Sequence, residues 1–310
     1  MKDYLNKIIQ GDCLEVLKTL PNESIDMVMT SPPYWALRDY GVDGQLGLEP
    51  TFQEYITKLC DIFDEVKRVL KKEGTCWVNM GDVYNSGGNY RKDGSSGRGY
   101  KYNRTEFGRV KMDKRLQRLE DKALCQIPSR FAIEMSNRGW ILRNEIIWHK
   151  PNCMPSSVED RFSVDFEKLY FFVKNKKYYF EQQFEKSIWA DKDKRAINGP
   201  SSGGKATSGN YSINKGGAFR KDGLRNKRSV WTINTKPFAE AHFATYPEKL
   251  CLTPIKAGCP EGGVVLDPFM GSGTTALVAK KLSRKYLGIE LNPEYIKIAE
   301  QRLAQGVFNL

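Results

Sequence analysis

The sequence predicts an α/β protein built on a mostly parallel, twisted sheet that carries basic loop insertions. Strand-like apolar runs alternate with stretches of helical periodicity along most of the chain. Two of those strands stop abruptly in Pro- or Gly-rich turns. The excess positive charge is confined to two polar segments that interrupt the alternation. Alternation of this kind places helices on the faces of a parallel sheet, and ligands then gather where its strands end.

Residues 6–10 read as a first strand running into Gly11-Asp12, and Leu14, Val16, Leu17 and Leu20 then mark a short helix. Residues 25–30 form a buried strand that ends at Ser31-Pro32-Pro33. From Thr51 onward Phe52, Tyr55, Ile56, Leu59, Phe63, Val66 and Leu70 fall at helical spacing, and Thr51 with Glu54 predicts a capping box. Strand 75–80, helix 131–135 and strands 141–149 and 169–174 follow. The last third reads as helix 247–255, strand 263–266, a Gly-rich turn, helix 275–282, strand 285–289 and a helix from Pro293. There is no internal repeat or heptad run.

The 310 residues carry a net charge of +12. Residues 84–120 and 181–241 contribute +6 each, and the remaining 212 residues are neutral. Both basic segments are rich in Gly, Ser and Asn and are interleaved with Tyr90, Tyr100, Tyr102, Tyr211 and Phe219, a composition that suits a phosphate backbone and exposed bases. Seven cysteines without a Cys-x-x-Cys pair, and only two histidines, argue against a disulfide scaffold and a metal site. The absence of a long apolar run or a targeting pattern predicts a cytoplasmic protein with no membrane partner.

The strongest chemical signal is Asp267-Pro268-Phe269-Met270-Gly271-Ser272-Gly273-Thr274-Thr275 at a strand end. Glycines there let a ligand approach backbone N–H groups, and Glu290, 19 residues beyond Gly271 at the next strand tip, is placed to grip ribose hydroxyls. The pattern lacks the third glycine of the nicotinamide fingerprint and the Gly-Lys-Ser/Thr ending of a phosphate loop. A nucleoside-cofactor half-site remains.

Taken with Thr30-Ser31-Pro32-Pro33-Tyr34-Trp35, this turn resembles the amino-methylating DNA methyltransferases, in the beta order with the Ser-Pro-Pro-Tyr element first. Gly11-Asp12, Trp148-His149-Lys150-Pro151-Asn152 and His242 to Pro247 fit the same family, over residues 6–180 and 240–305. The resemblance implies a circularly permuted, Rossmann-like methyltransferase fold, S-adenosylmethionine as cofactor and site-specific methylation of DNA. It divides the chain into a catalytic domain, 1–180 and 242–310 with insertion 84–120, and a target-recognition region, 181–241. As partners it implies double-stranded DNA, a cognate restriction endonuclease and, in many members, a second copy of the chain.

The residues themselves explain why such chemistry suits them. Two prolines remove two N–H donors and leave the carbonyls around Ser31 and Pro32 free to accept. An exocyclic amine is conjugated and weakly nucleophilic. If Ser31 Oγ and the Pro32 carbonyl accept its two hydrogens, its lone pair turns toward a methyl sulfonium. No cysteine nucleophile is needed, and no Pro-Cys element ends a strand. Tyr34, after Pro33, is expected to stack on a base that has left the duplex. The cofactor side is assigned Asp12, Thr30, Thr245, Asp267, Phe269, Gly271, Ser272, Gly273, Thr274 and Glu290, with Asp12 read alternatively as a helix cap. Trp148 and Asn152 are assigned to the base pocket, with core packing the alternative for Trp148. DNA contacts are assigned to Lys205, Lys215, Arg220, Lys221, Arg225, Lys227 and Arg228. Within the family, Ser at position 31 favours N4 of cytosine over N6 of adenine. A relative that binds DNA without catalysis is the remaining alternative.

Overall fold

The computed structural model describes residues 1–37, 41–85, 119–186, 224–235 and 246–305. Its main sheet contains β1 (Lys7–Gln10), β2 (Ile25–Thr30), β3 (Leu70–Met80), β4 (Ile141–His149) and β5 (Phe166–Val173). The strands β6 (Phe184–Lys186) and β7 (Leu224–Asn226) pair with each other antiparallel, outside that sheet. The main sheet is completed by β8 (Val230–Thr232), β9 (Val264–Asp267) and β10 (Lys285–Glu290), in the order β1-β10-β9-β2-β3-β5-β4-β8. Every pairing is parallel except the two made by β5. The predicted mostly parallel α/β sheet is therefore what the chain forms.

Six helices cover the faces: α1 (Cys13–Thr19), α2 (Phe52–Val69), α3 (Ile127–Asn137), α4 (Glu248–Gly258), α5 (Thr274–Lys281) and α6 (Pro293–Gln305). The period-two pleat decides which core each strand residue joins. Val28, Cys76 and Val78 pack with Tyr55, Leu59 and Phe63 of α2 and Phe131 of α3, whereas Met27, Met29 and Trp77 pack with Leu250 and Ile255 of α4 and Val278 of α5. Burial on both faces is why β2 and β9 read as continuous apolar runs without alternation.

Several boundaries differ from expectation. The strand expected at 75–80 begins at Leu70, directly where α2 ends, and its pairing with β2 shifts register between Ile25 and Met27. An exposed Lys71-Lys72-Glu73 stretch hides that start from any hydrophobic pattern. Residues 230–232, expected within a separate recognition region, form a sheet strand against β4, with Trp231 buried in the second core. The Thr51 cap forms as expected, with the Glu54 N–H donating to Thr51 Oγ1 at 3.2 Å.

Connections on either side of the β9–β2 boundary run in opposite directions, β9 outward to β10 and β2 outward to β3. Such a reversal opens a crevice beyond the carboxyl ends of the strands. Both motifs begin there. Among the described residues no helix is long and apolar enough to cross a membrane, and no cluster of side chains could hold a metal ion.

Candidate active site

Because β2 and β9 are hydrogen-bonded neighbours, Thr30 and Asp267 end side by side, and Thr30 Oγ1 donates to Asp267 Oδ1 at 2.5 Å. The Tyr246 hydroxyl donates to Asp267 Oδ2 at 3.1 Å, and the Phe269 N–H donates to Oδ1 at 3.1 Å. Tyr246 is also hydrogen-bonded to the Thr275 hydroxyl. Burial raises the Asp267 carboxyl above its ordinary range, against these donors. Thr30 and Asp267 were expected to touch the cofactor. They lie beneath the cavity floor instead, since their polar atoms are consumed in clamping the two strand ends together.

Above that clamp opens a cavity of about 990 Å³, and both motifs line it. Ser31, Pro32, Pro33 and Tyr34 share it with Phe269, Gly271, Ser272, Thr274 and Glu290. At one end the Gly271 N–H donates to Glu290 Oε2 at 2.7 Å and the Asn292 N–H to Oε1 at 2.8 Å. Gly271 takes a positive φ of 52° with open space where a Cβ would stand. Desolvation raises the Glu290 carboxyl above the ordinary carboxylate range, partly offset by these N–H donors. Phe269, Tyr295 and Ile298 supply apolar walls.

Gly273 plays a different part from the one expected. A Cβ there would stand 2.8 Å from that of Ala299 in α6, at a φ of 80°, so this glycine permits close helix packing and does not line the cavity. Ser272 and Thr274 do line it, yet both side-chain hydroxyls accept from Arg302 of α6, at 2.8 and 3.1 Å. Asp12 satisfies both of its readings. It caps α1, accepting the Glu15 N–H at 3.1 Å, and it lines the cavity.

The opposite end is built on β4, β5 and the proline exit. The Pro33 carbonyl accepts from the Tyr55 hydroxyl at 2.8 Å, while no described residue donates to the Pro32 carbonyl. Trp148 is buried, donates Nε1–H to the Ile233 carbonyl at 2.8 Å and shows an edge to the cavity, so it serves both core and pocket. Asn152 also lines the cavity, but its amide is tied to Thr235, donating to the carbonyl and accepting the N–H, each at 2.9 Å. His149 rests against Thr232 and Asp165, a structural role.

Sequence patterns missed Glu167 and Lys150. The Tyr34 hydroxyl donates to Glu167 Oε2 at 2.7 Å and Lys150 Nζ to Oε1 at 2.8 Å, and all three residues line the cavity. Tyr34 and Glu167 lie 133 positions apart, so no local signature links them. Cys13 lines the cavity as well, but burial pushes its thiol up to about 12, which keeps it protonated at neutral pH.

Of the expected DNA contacts, Arg225 and Arg228 both bind Glu185 through Nε, at 2.9 and 2.7 Å, and Lys227 sits over the Trp231 ring. These residues brace the β6–β7 pair and its junction with the sheet. Lys205, Lys215, Arg220, Lys221 and Thr245 lie outside the described residues.

A family model described as a DNA methylase, of the N6/N4 methyltransferase type, matches residues 25–301. The chain belongs to this family of DNA methylases. This DNA methylase is 43% identical to the Type II methyltransferase M.XycI of Xanthomonas campestris pv. cyanopsidis, over 96% of this chain and 87% of the relative. Among solved structures, the cytosine-N4-specific PvuII DNA methyltransferase superposes with a TM-score of 0.62 at 22% identity, covering 96% of this chain and 85% of that one. A DNA modification methylase of Thermus thermophilus, TTHA0409, complexed with S-adenosyl-L-methionine, gives 0.58 at 23% identity, covering 98% and 96%. The fold of this methylase is thus that of the S-adenosylmethionine-dependent methyltransferases.

Proposed function

We propose that this DNA methylase is a Type II enzyme that transfers methyl from S-adenosylmethionine directly to N4 of a cytosine rotated out of duplex DNA. The observation that carries the reading is the single cavity in which Ser31 and the unengaged Pro32 carbonyl face the same space as Gly271 and Glu290. The residues present fit the cofactor. Glu290 keeps lone pairs beyond its two backbone bonds for ribose hydroxyls, and Phe269 and Tyr295 offer surfaces for an adenine ring. When bound, the cofactor supplies an electrophilic methyl on a sulfonium.

The chain's own residues prepare the acceptor. Ser31 Oγ and the Pro32 carbonyl take the two amino hydrogens, which draws the nitrogen lone pair out of conjugation and fixes its direction. Tyr34 offers a ring face to the base, and Trp148 and Asn152 close the pocket behind it. A base inside the duplex could not reach these groups, so extrusion is part of the proposal. The named specificity of the PvuII relative and the serine at position 31 support cytosine. Digestion of methylated DNA to nucleosides with mass spectrometry is the test. N4-methylcytosine is expected, and N6-methyladenine alone would overturn the base assignment.

Two further outcomes are expected. Glu290 titrates above the usual carboxylate range, and only its ionised form accepts ribose hydroxyls while keeping both backbone N–H bonds. Lowering the pH from about 8 to about 5 therefore protonates Glu290 and weakens cofactor binding, measured by calorimetry; a flat profile would contradict the assignment. Replacing Lys205, Lys215, Arg220 and Lys221 together should weaken DNA binding and reduce the slope of log affinity against log salt by about 0.9 for each phosphate no longer neutralised. Cofactor affinity should not change. An unaltered salt slope would make that segment a bystander.

A further inference from the structure

Glu167 receives both polar groups that border the proline exit. Its Oε2 accepts from Tyr34 at 2.7 Å, and its Oε1 accepts from Lys150 at 2.8 Å. Both members of the Lys150–Glu167 pair are only 17% exposed. The Lys150 ammonium also lies 5.4 Å from the centre of the Trp148 ring. Nearby, Asn79 Oδ1 lies 3.4 Å from the Tyr34 hydroxyl, while its Nδ2 donates to the Lys168 carbonyl at 3.2 Å, so Asn79 is held by the backbone of the strand that carries Glu167. The Tyr34 ring itself lies against Gly81, where a Cβ would come within 2.6 Å of the ring edge.

We infer that Glu167 is a positioning residue for methyl transfer, acting through Tyr34 on the orientation of Ser31; the inference rests on the reading of Ser31 as an acceptor for the substrate amine. A tyrosine hydroxyl has one hydrogen. With that hydrogen given to Glu167, the phenol oxygen presents only lone pairs to its other neighbour, the Ser31 hydroxyl. The Ser31 hydrogen then turns toward Tyr34, and the Ser31 lone pairs face the cavity, where an amine hydrogen must be accepted. Without Glu167 the Tyr34 hydrogen is released. Ser31 can then rotate to direct its own hydrogen at the substrate, which opposes the transfer. The buried charge of Lys150 holds the Glu167 carboxylate ionised and in place.

The test is a double-mutant cycle read as the single-turnover rate constant at saturating DNA and cofactor. Tyr34→Phe keeps the ring and removes the hydroxyl, and Glu167→Ala removes the acceptor. Each should slow transfer by about tenfold, with the double variant no slower than Glu167→Ala alone. Glu167→Gln, whose amide oxygen can still accept from Tyr34, should recover most of the rate. The cofactor Kd and the melting temperature of Tyr34→Phe and Glu167→Gln should stay near the starting values. Multiplying effects in the double variant, an unchanged rate in Glu167→Ala, or a Gln variant as slow as the Ala variant would each overturn the inference. If Glu167→Ala does not fold, Glu167→Leu completes the cycle under the same criteria. The modified nucleoside is read in the same digests. N6-methyladenine would overturn the cytosine assignment and leave the coupling between Glu167 and Tyr34 standing.

Discussion

Ser31→Ala is expected to lower the single-turnover rate of methyl transfer by about 100-fold to 1000-fold while leaving the cofactor Kd unchanged. The magnitude is that of removing one preorganised hydrogen-bond partner from a site where charge develops. The amine carries little charge in the ground state and becomes cationic as it attacks. Its hydrogens therefore bind an acceptor most strongly at the transition state, and a lost acceptor appears in the rate more than in binding. Ser31 lines the cavity beside the Pro32 carbonyl, which would keep one of the two acceptors in place and set a floor to the loss. Substrate methylation by quenched flow checks this, and turnover within a factor of about two of the starting enzyme would remove Ser31 from the chemistry.

The second large effect is on the frame that brings the half-sites together. Asp267→Ala should destabilise the protein by about 2–4 kcal/mol, because the Thr30 hydroxyl, the Tyr246 hydroxyl and the Phe269 N–H lose a buried acceptor together. For a chain of this size that corresponds to a fall in melting temperature of roughly 5–10 °C. The raised carboxyl limits the loss, since removing Asp267 also removes the cost of holding it desolvated. Asp267→Asn keeps one acceptor oxygen and should lose about half as much. The clamp joins the strand that carries Ser31 to the strand that carries Gly271, so activity should fall more than stability does. Thermal unfolding and turnover of both variants check it, and an Ala variant that melts like the starting protein would show that the clamp holds nothing.

Much of this site was legible before any coordinates. A strand that halts at Ser31-Pro32-Pro33 and one that halts at Gly271 advertise themselves, because Pro and Gly have local backbone consequences. The acid at position 290 follows from the length of one helix and one strand. Interior residues of the two faces were legible too, since β2 and β9 are apolar throughout. What pattern could not supply is pairing across the fold. Asp267 reads as a ligand-facing acid until Thr30 and Tyr246 are seen to consume it, 237 and 21 positions away. Gly273 reads as a cradle glycine until Ala299 is seen packed against it. Glu167 sits on a strand whose buried neighbours give no hint that its carboxylate serves a cavity. Arg225 and Arg228 look like free cations in a basic run, but Glu185, 40 and 43 residues earlier, binds both. In each case a short polar side chain met a partner brought near only by sheet order.

Direct transfer means that methyl passes straight from cofactor sulfur to an exocyclic nitrogen of cytosine, with no residue of the chain carrying it. Quenched single-turnover reactions with methyl-labelled S-adenosylmethionine and unmodified genomic DNA measure this most directly, with label followed in protein and in digested nucleosides. Label should leave the cofactor and reach N4 of cytosine at one and the same rate, with none on protein at any time. Transient label on Cys13 or Cys153, the two thiols that line the cavity, or final label on a ring carbon would contradict it.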